Sequence, residues 1–91
     1  MSYLFKIPDS FKKTAKKKPK QMQERIAECI TLLVENPRNP RLNSHKMKGT
    51  SGIWECYVDR DGNRVTFEYS ADRKTIILRN NCNHDMLYRN P

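Results

Sequence analysis

The spacing of the apolar residues changes once along this chain, and that change limits the folds open to it. Between residues 19 and 35 the apolar side chains recur every three or four positions, which predicts one amphipathic helix. They are Met22, Ile26, Ile30 and Leu33, with Cys29 beside them. After residue 51 the apolar residues recur at every second position instead, which is typical of strands with one buried face. Helices followed by strands favour an α+β domain.

Shorter elements are predicted ahead of the long helix. Residues 3–7 have the composition of a short strand, ended by a proline. Asp9 and Ser10 are typical N-cap residues, and a short helix after them places Phe11 and Ala15 inward, one turn apart. A second proline separates this helix from the long one, because its ring disrupts the preceding turn.

Three strands are predicted for the last forty residues, after a loop over residues 37–51 that shows no apolar period. Turn-forming residues separate the strands at 59–63 and 70–73. The inward residues are Trp54, Cys56, Val58, Val65, Phe67, Tyr69, Ile76 and Leu78. Pairing Val58 with Val65 sets Cys56 opposite Phe67 and Trp54 opposite Tyr69, so that the apolar faces coincide.

The predicted fold class is α+β in the order β-α-α-β-β-β, as a single domain over residues 1–91. Two N-terminal helices pack on one face of a mostly antiparallel sheet. We expect the other face to be solvated and partly basic. Its residues are Glu55, Tyr57, Arg64, Thr66, Glu68, Ile77 and Arg79.

Composition restricts the class of protein. A chain of 91 residues has room for one modest core. Its 18 Lys and Arg exceed its 10 Asp and Glu, and this net charge of +8 predicts a polyanionic partner. We find neither the run of about 20 apolar residues that spans a membrane nor a secretory signal. The three cysteines have no CxxC spacing, so we expect a reducing, cytoplasmic location.

The two histidines, His45 and His84, are the candidates for acid–base chemistry, because imidazole titrates near neutral pH. RNA cleavage without a metal needs a base for the 2′-hydroxyl, an acid for the leaving 5′-oxygen and cations on the phosphate. The cations suited to phosphate are Lys46, Lys48, Arg64 and Arg79. Aromatic rings for stacking on a base are Tyr57 and Tyr88. Further carboxylates that suit a base, or a group orienting a histidine, are Glu55, Asp61 and Asp85.

Each candidate also has a plain structural interpretation. A surface histidine is commonly only solvated, and a tyrosine is as often a packing residue. The six lysines between residues 12 and 20 form either a solvated helix face or an electrostatic footprint for nucleic acid. The sequence Cys82-Asn83-His84-Asp85 contains metal-binding residue types. A tetrahedral site needs two separated ligand pairs, however, so we expect no metal and no other cofactor.

Three motifs in their order resemble the RelE/ParE superfamily of toxins from bacterial toxin–antitoxin pairs. They are HKMKG, GIWECYVDRDGNRVTFEY and NHDMLY. The RNA-cleaving branch, which includes RelE, YoeB, YafQ and HigB, is closer than the gyrase-poisoning ParE branch. The resemblance spans nearly the whole chain and implies a compact domain similar to microbial ribonucleases. It also implies that the protein cuts mRNA in the ribosomal A site and is silenced by an antitoxin that wraps around it.

The resemblance implies roles for individual residues. Lys46 and Lys48 fall on basic residues of the K-L-R-G stretch, which contact RNA and help activate the nucleophile or stabilise charge. Arg64 falls on the arginine that holds the scissile phosphate. His84 and Tyr88 fall on a C-terminal pair in which the histidine is a proposed acid or base and the aromatic residue stacks on or orients the substrate.

The YafQ pattern matches only in part. His45 resembles its first histidine, whereas Tyr57 lies near the position of its second. Asp61 matches a YafQ aspartate if the hairpin loop aligns without a gap. The two-histidine scheme therefore depends on His84 as the main proton-transfer group and His45 as its counterpart.

The leading hypothesis is an mRNA-cleaving endoribonuclease that acts by metal-independent attack of the 2′-hydroxyl. Further substrate-binding candidates are Tyr57, Arg79, Lys12, Lys13, Lys16 and Lys17. The expected partners are mRNA, the 70S ribosome with its rRNA and a cognate antitoxin, with no membrane partner and a monomer when free. The alternatives are a gyrase-poisoning toxin without nuclease activity and a non-catalytic RNA- or ribosome-binding module.

Overall fold

The computed structural model describes residues 2–60 and 62–83. Within them the elements are β1 (Leu4–Lys6), α1 (Asp9–Lys16), α2 (Lys20–Glu35), β2 (His45–Lys46), β3 (Trp54–Tyr57), β4 (Asn63–Tyr69) and β5 (Thr75–Asn83). The strands form one sheet in the order β1-β5-β4-β3-β2. β1 is parallel to β5, and the other neighbours are antiparallel. The predicted α+β class is confirmed, with one strand more than expected.

The helices follow the predicted pattern closely. α2 buries Ile26, Cys29 and Leu33 on one side. α1 begins at Asp9, so the N-cap is Pro8, whose carbonyl accepts hydrogen bonds from the main-chain N–H groups of Phe11 and Lys12. The expected N-cap at Asp9 or Ser10 was wrong because Pro8 already supplies the extended backbone before the first turn. In the described part of the chain, neither helix is long and apolar enough to cross a membrane.

The core lies between the helices and one face of the sheet, which we call the inner face. The buried apolar residues of this cluster are Phe11, Ile26, Cys29, Leu33, Leu42, Cys56, Val65, Phe67, Ile76 and Leu78. The Cys29 and Cys56 sulfurs lie 3.6 Å apart as free thiols. Their hydrogen bond, together with burial, raises the pKa of the Cys56 thiol well above its usual value. Cys56 therefore stays protonated at neutral pH and serves as core.

The β3–β4 hairpin has a register two residues away from the predicted one. Cys56 lies opposite Val65 and Trp54 opposite Phe67. The turn is tighter than expected, because the Val58 main-chain N–H donates to the Asn63 carbonyl at 3.0 Å. The Asp59 carboxylate also accepts hydrogen bonds from the Asn63 main chain and side chain. A shift of two keeps every side chain on its face, so the predicted faces hold although the pairs were wrong.

The segment 37–51 is more ordered than a loop. His45–Lys46 form β2 and pair with β3 at the edge of the sheet. Leu42 and Met47 are buried, and the Leu42 carbonyl accepts a hydrogen bond from the Tyr57 N–H at 2.8 Å. These anchors follow no regular spacing, which is why the apolar pattern did not reveal them.

The outer face of the sheet, opposite the helices, is only partly solvated, because two of its polar residues are buried. Only 1% of the Glu55 surface and none of the Thr66 surface are exposed. An irregularity between Thr66 and Phe67 sets Thr66 opposite Asn80 and Phe67 opposite Leu78, which leaves Arg79 as an extra residue. Asn81 then takes an inward position, where its side-chain amide donates to the Phe11 carbonyl at 3.1 Å.

Candidate active site

A buried carboxylate, Glu55 on β3, lies at the centre of the candidate site on the outer face. Its Oε1 atom lies 3.0 Å from His45 Nε2 and 3.9 Å from Arg64 Nε. The register explains the cluster, since His45 on β2 is directly opposite Glu55 and Arg64 on β4 is opposite Tyr57, two residues along β3. The structure therefore brings an imidazole, a carboxylate and a guanidinium together from three strands.

Tyr57 holds the guanidinium in place. The Arg64 Cζ atom lies 3.6 Å from the centroid of the Tyr57 ring, within the range of a cation–π contact. The His45 ring meets the same tyrosine edge-on, with centroids 6.0 Å apart. Arg64 also donates from Nη1 to the Asn63 carbonyl at 3.2 Å, and its side chain is 11% exposed. The positive charge is thus fixed before any substrate binds.

The hydrogen bonds of His45 determine where its protons lie. Nδ1 is 2.8 Å from the carbonyl oxygen of Asn43. Because a carbonyl only accepts, Nδ1 carries a hydrogen and donates it. Nε2 faces Glu55 Oε1, 3.0 Å away. Both ring nitrogens of His45 are therefore held in place, one by a carbonyl and the other beside the buried carboxylate.

Two polar atoms of the cluster have unused hydrogen-bonding capacity. Among residues 2–60 and 62–83, Glu55 Oε2 and Arg64 Nε are buried and have no hydrogen-bond partner. Buried polar atoms are nearly always paired, so such atoms call for an explanation. An acceptor and a donor without partners are the atom types that a hydroxyl group and a phosphate oxygen would satisfy.

The predicted lysines do not join this cluster. Lys46 follows His45 on β2, and successive residues of a strand point to opposite faces. Its Nζ lies 5.6 Å from the centroid of the Trp54 ring instead. Lys48 is exposed after β2, and Arg79 forms an exposed ion pair with Glu68 at 3.2 Å. The expectation that His45, Arg64 and Lys46 share one site is thus met by the first two alone.

Other predicted residues lie elsewhere. Lys12, Lys13, Lys16 and Lys17 are exposed on or next to α1. The end of that helix is near Arg64, because Lys18 and Arg64 border the same small void. His84 and Tyr88, with the carboxylates Asp61 and Asp85, lie outside the described residues, so their roles remain predictions.

The central position of Glu55 is the main feature that the sequence did not reveal. As one of three candidate carboxylates it carried no special signal, because its significance comes from the pairing of β2 with β3. In the part of the chain that the structure describes, no three His, Cys, Asp or Glu side chains are grouped so as to hold a metal ion.

Comparison with known proteins gives matches only at the level of structure. No protein-family model and no curated protein sequence matches this chain. A chain of the RelE–RelB complex from Pyrococcus horikoshii OT3 superposes with a TM-score of 0.73 and 21% identity, covering 92% of this chain and 97% of that one. A chain of the RelB–RelE antitoxin–toxin complex from Methanococcus jannaschii gives 0.68 and 25%, covering 94% and 95%. The isolated E. coli RelE toxin gives 0.70 and 13%, covering 97% and 98%.

The chain therefore has the fold of RelE toxins. The similarity extends over nearly the full length of each matched chain. It confirms the fold that the three sequence motifs implied, and it does not separate the YafQ-like branch from the others.

Proposed function

We propose that this protein is the toxin of a toxin–antitoxin pair and that it cleaves mRNA, in the ribosomal A site. The observation that carries the proposal is the His45–Glu55–Arg64 cluster, on a domain with the RelE fold. Proton transfer and a fixed positive charge are the two requirements for cleavage of RNA by its own 2′-hydroxyl.

The proposed reaction needs no metal. Glu55 takes the proton from the 2′-hydroxyl on its unpartnered Oε2 atom while His45 holds its Oε1 atom, and the 2′-oxygen forms a bond to phosphorus. Arg64 binds the phosphate oxygens and offsets the charge that develops on them. The bond from phosphorus to the 5′-oxygen breaks, and we assign the donation of a proton to that oxygen to His84, which the sequence predicts as a proton-transfer group without fixing it as acid or base. The products are a 2′,3′-cyclic phosphate and a 5′-hydroxyl.

An antitoxin is the proposed protein partner. The P. horikoshii and M. jannaschii structures are complexes of RelE with RelB. We propose a corresponding complex for this chain and, in its absence, a cytoplasmic monomer that binds the 70S ribosome.

Loss of the guanidinium tests the proposed function. We expect Arg64→Ala to lower mRNA cleavage at least about tenfold, since the fixed charge on the phosphate is lost. His84→Ala should do the same. Mapping of RNA 5′ ends in a purified translation mixture measures the effect, and circular dichroism checks the fold. Arg41→Ala is the control, because Arg41 is an exposed arginine paired with Glu28.

Three results would contradict the proposal. If both variants cleave mRNA as fast as wild type does, the assigned site is wrong. Double-strand DNA breaks without mRNA fragments would identify a gyrase poison. Ribosome binding without any RNA product would identify a non-catalytic binding module.

The lysines of the α1 region give a separate prediction about ribosome binding. Replacing Lys12, Lys13, Lys16 and Lys17 by glutamine should weaken co-sedimentation with ribosomes by about tenfold or more, because cationic contacts to phosphate dominate such affinities. The control replaces Lys6 and Lys74, which lie at the β1–β5 end of the sheet. Equal sedimentation of the four-lysine variant and wild type over a range of salt concentrations would show that these lysines face only solvent.

A further inference from the structure

A second concave site lies on the inner side of the sheet, at the end of α2. It is a cleft of about 720 Å³, within the usual range for small-molecule sites of about 300–1,000 Å³. It is bordered by the segment after α2, the start of β1 and the ends of β3 and β4. The side chains that border it include Tyr3, Arg38, Ser44, Trp54, Tyr69 and Arg73.

Three half-buried aromatic rings form one wall of the cleft. The centroids of Trp54 and Tyr69 lie 5.9 Å apart with the rings nearly perpendicular, and Tyr3 lies 5.9 Å from Tyr69. Aromatic rings inside a core are fully buried, whereas these three pack against the core and are only partly buried. Exposed aromatic surface in a basic cleft is a platform on which bases stack.

Two guanidinium groups, against the single carboxylate of Glu35, give the lining of the cleft a net positive charge. Among the described residues, neither Arg38 nor Arg73 forms an ion pair, in contrast to the arginines at 25, 41, 64 and 79. Both lie close to Tyr69. Burial, followed by the neighbouring Tyr3, raises the pKa of the Tyr69 hydroxyl, and the two arginines act against that rise. Tyr69 therefore stays a neutral hydrogen-bond donor beside two free cations.

The backbone at Arg73 has a conformation that is uncommon for a residue with a side chain. Arg73 has φ of 59°, in the left-handed region that glycine adopts without strain and a long side chain does not. The turn itself is held by Asp72, whose carboxylate accepts hydrogen bonds from Ser70 and the Lys74 N–H. Arginine in this position carries a conformational cost, and it places Cζ 5.6 Å from the centroid of the Tyr69 ring.

A polar side chain that borders the cleft also has an atom without a hydrogen-bond partner. Ser44 Oγ is buried and has no hydrogen-bond partner within residues 2–60 and 62–83. A hydroxyl both donates and accepts, so it suits the polar edge of a base or a ribose. Ser44 lies directly before His45, whose ring is held by the carbonyl of Asn43, another residue of the cleft.

The cleft and the His45–Glu55 pair therefore lie on opposite faces of the sheet, next to the edge strand β2. Lys46 is on the same side of this edge as the cleft, with Nζ 5.6 Å from the Trp54 centroid. A single-stranded RNA that passes around this edge contacts the Arg64 cluster on one face of the sheet and the aromatic cleft on the other. Lys46 lies along this path. An acidic peptide would satisfy the arginines but would leave the flat rings without a matching partner.

We propose that this cleft binds one nucleotide of a single-stranded RNA, its base against Trp54 and Tyr69 and its phosphate against Arg38 and Arg73. The proposal rests on the proposed function in that RNA is the ligand. It adds a second contact, on the side of the sheet away from the reacting phosphate.

The chain has one tryptophan, and it lies in the cleft, so its fluorescence reports on this site directly. Adenosine 5′-monophosphate should quench Trp54 at lower concentrations than adenosine or inorganic phosphate does, since only the nucleotide engages both walls. The Arg64→Ala protein should bind a short oligoribonucleotide more tightly than it binds the mononucleotide. This difference shows whether the ligand of the cleft is RNA or a free nucleotide.

Arg73→Gly removes the guanidinium and relieves the backbone at the same time. We expect it to lower the affinity for the mononucleotide about tenfold, the size expected for one charge-assisted hydrogen bond, without loss of thermal stability. Arg41→Gly, an exposed arginine outside the cleft, should bind as wild type does. Arg38→Ala gives a second, independent variant.

The proposal is overturned if adenosine monophosphate does not quench Trp54, or if both arginine variants bind it as tightly as wild type. It is also overturned if a peptide of glutamates binds more tightly than the oligoribonucleotide. Nucleotide binding in a protein that cleaves no RNA would contradict the proposed function alone. Cleavage by a protein whose cleft ignores nucleotides would contradict this proposal alone.

Discussion

Glu55→Gln should lower RNA cleavage by about 10²–10⁴-fold, the usual contribution of a positioned acid–base group, while the protein stays folded. Glutamine has nearly the same shape, so the effect isolates the charge. A carboxylate oxygen lies 3.0 Å from His45 Nε2 and 3.9 Å from Arg64 Nε. An amide in its place cannot accept the proton of the 2′-hydroxyl and does not attract the guanidinium. Single-turnover cleavage in the purified translation mixture gives the rate.

Glu68→Gln is the matched control. Glu68 also lies on the outer face, but it is paired with Arg79 in an exposed ion pair, and such pairs contribute little. We expect its cleavage rate to stay within about twofold of wild type. Equal rates for Glu55→Gln and Glu68→Gln would remove Glu55 from the mechanism.

Phe67→Ala should have the largest effect on stability. The ring is fully buried at the centre of β4, stacked against Trp54 and edge-on to Tyr69. Loss of a buried phenylalanine side chain costs about 3–5 kcal/mol, a large share of the about 5–15 kcal/mol that stabilises a typical domain. For a domain of this size we expect Tm to fall by at least about 12 °C. Urea unfolding followed by circular dichroism gives the free energy of unfolding.

Phe5→Ala provides the comparison, since Phe5 on β1 is 53% exposed. Substitutions at exposed positions usually change stability by no more than about 0.5 kcal/mol. A loss at residue 5 as large as the loss at residue 67 would mean that the core is placed wrongly. The two variants remove the same atoms, so the difference between them measures burial alone.

From the sequence, the buried face of each helix and strand could be predicted better than the residues with which each strand pairs. The helical stripe of α2 and the alternation in β3 and β4 depend on local periodicity, and Ile26, Leu33 and Phe67 are buried as expected. The pairing of Cys56 with Val65 depends on the hydrogen bonds of a tight turn. β2 has only two residues, too few to show any period, so its pairing with β3 could not be anticipated.

The candidate site depended on the same missing information. His45 and Arg64 were predicted from residue type and motif, and the structure does bring them together. Glu55, in contrast, was one of three candidate carboxylates for a base or for a group orienting a histidine, and nothing in the sequence set it apart from the other two. Its burial and its contact with His45 arise from the position of β2 opposite β3. Lys46 was assigned from its charge and its match to the basic K-L-R-G stretch, although strand geometry separates its side chain from that of His45.

The parallel pair in the sheet affects how the domain assembles. Residues 4–6 lie beside residues 75–77, so β1 finds its neighbour only after the helices and strands between them have been made. Without β5, the sheet lacks the strand between β1 and β4, and the hydrophobic core cannot close. Contacts between distant parts of a chain are slow to form. We therefore expect the sheet and its core to form in one cooperative step once β5 is available, rather than strand by strand.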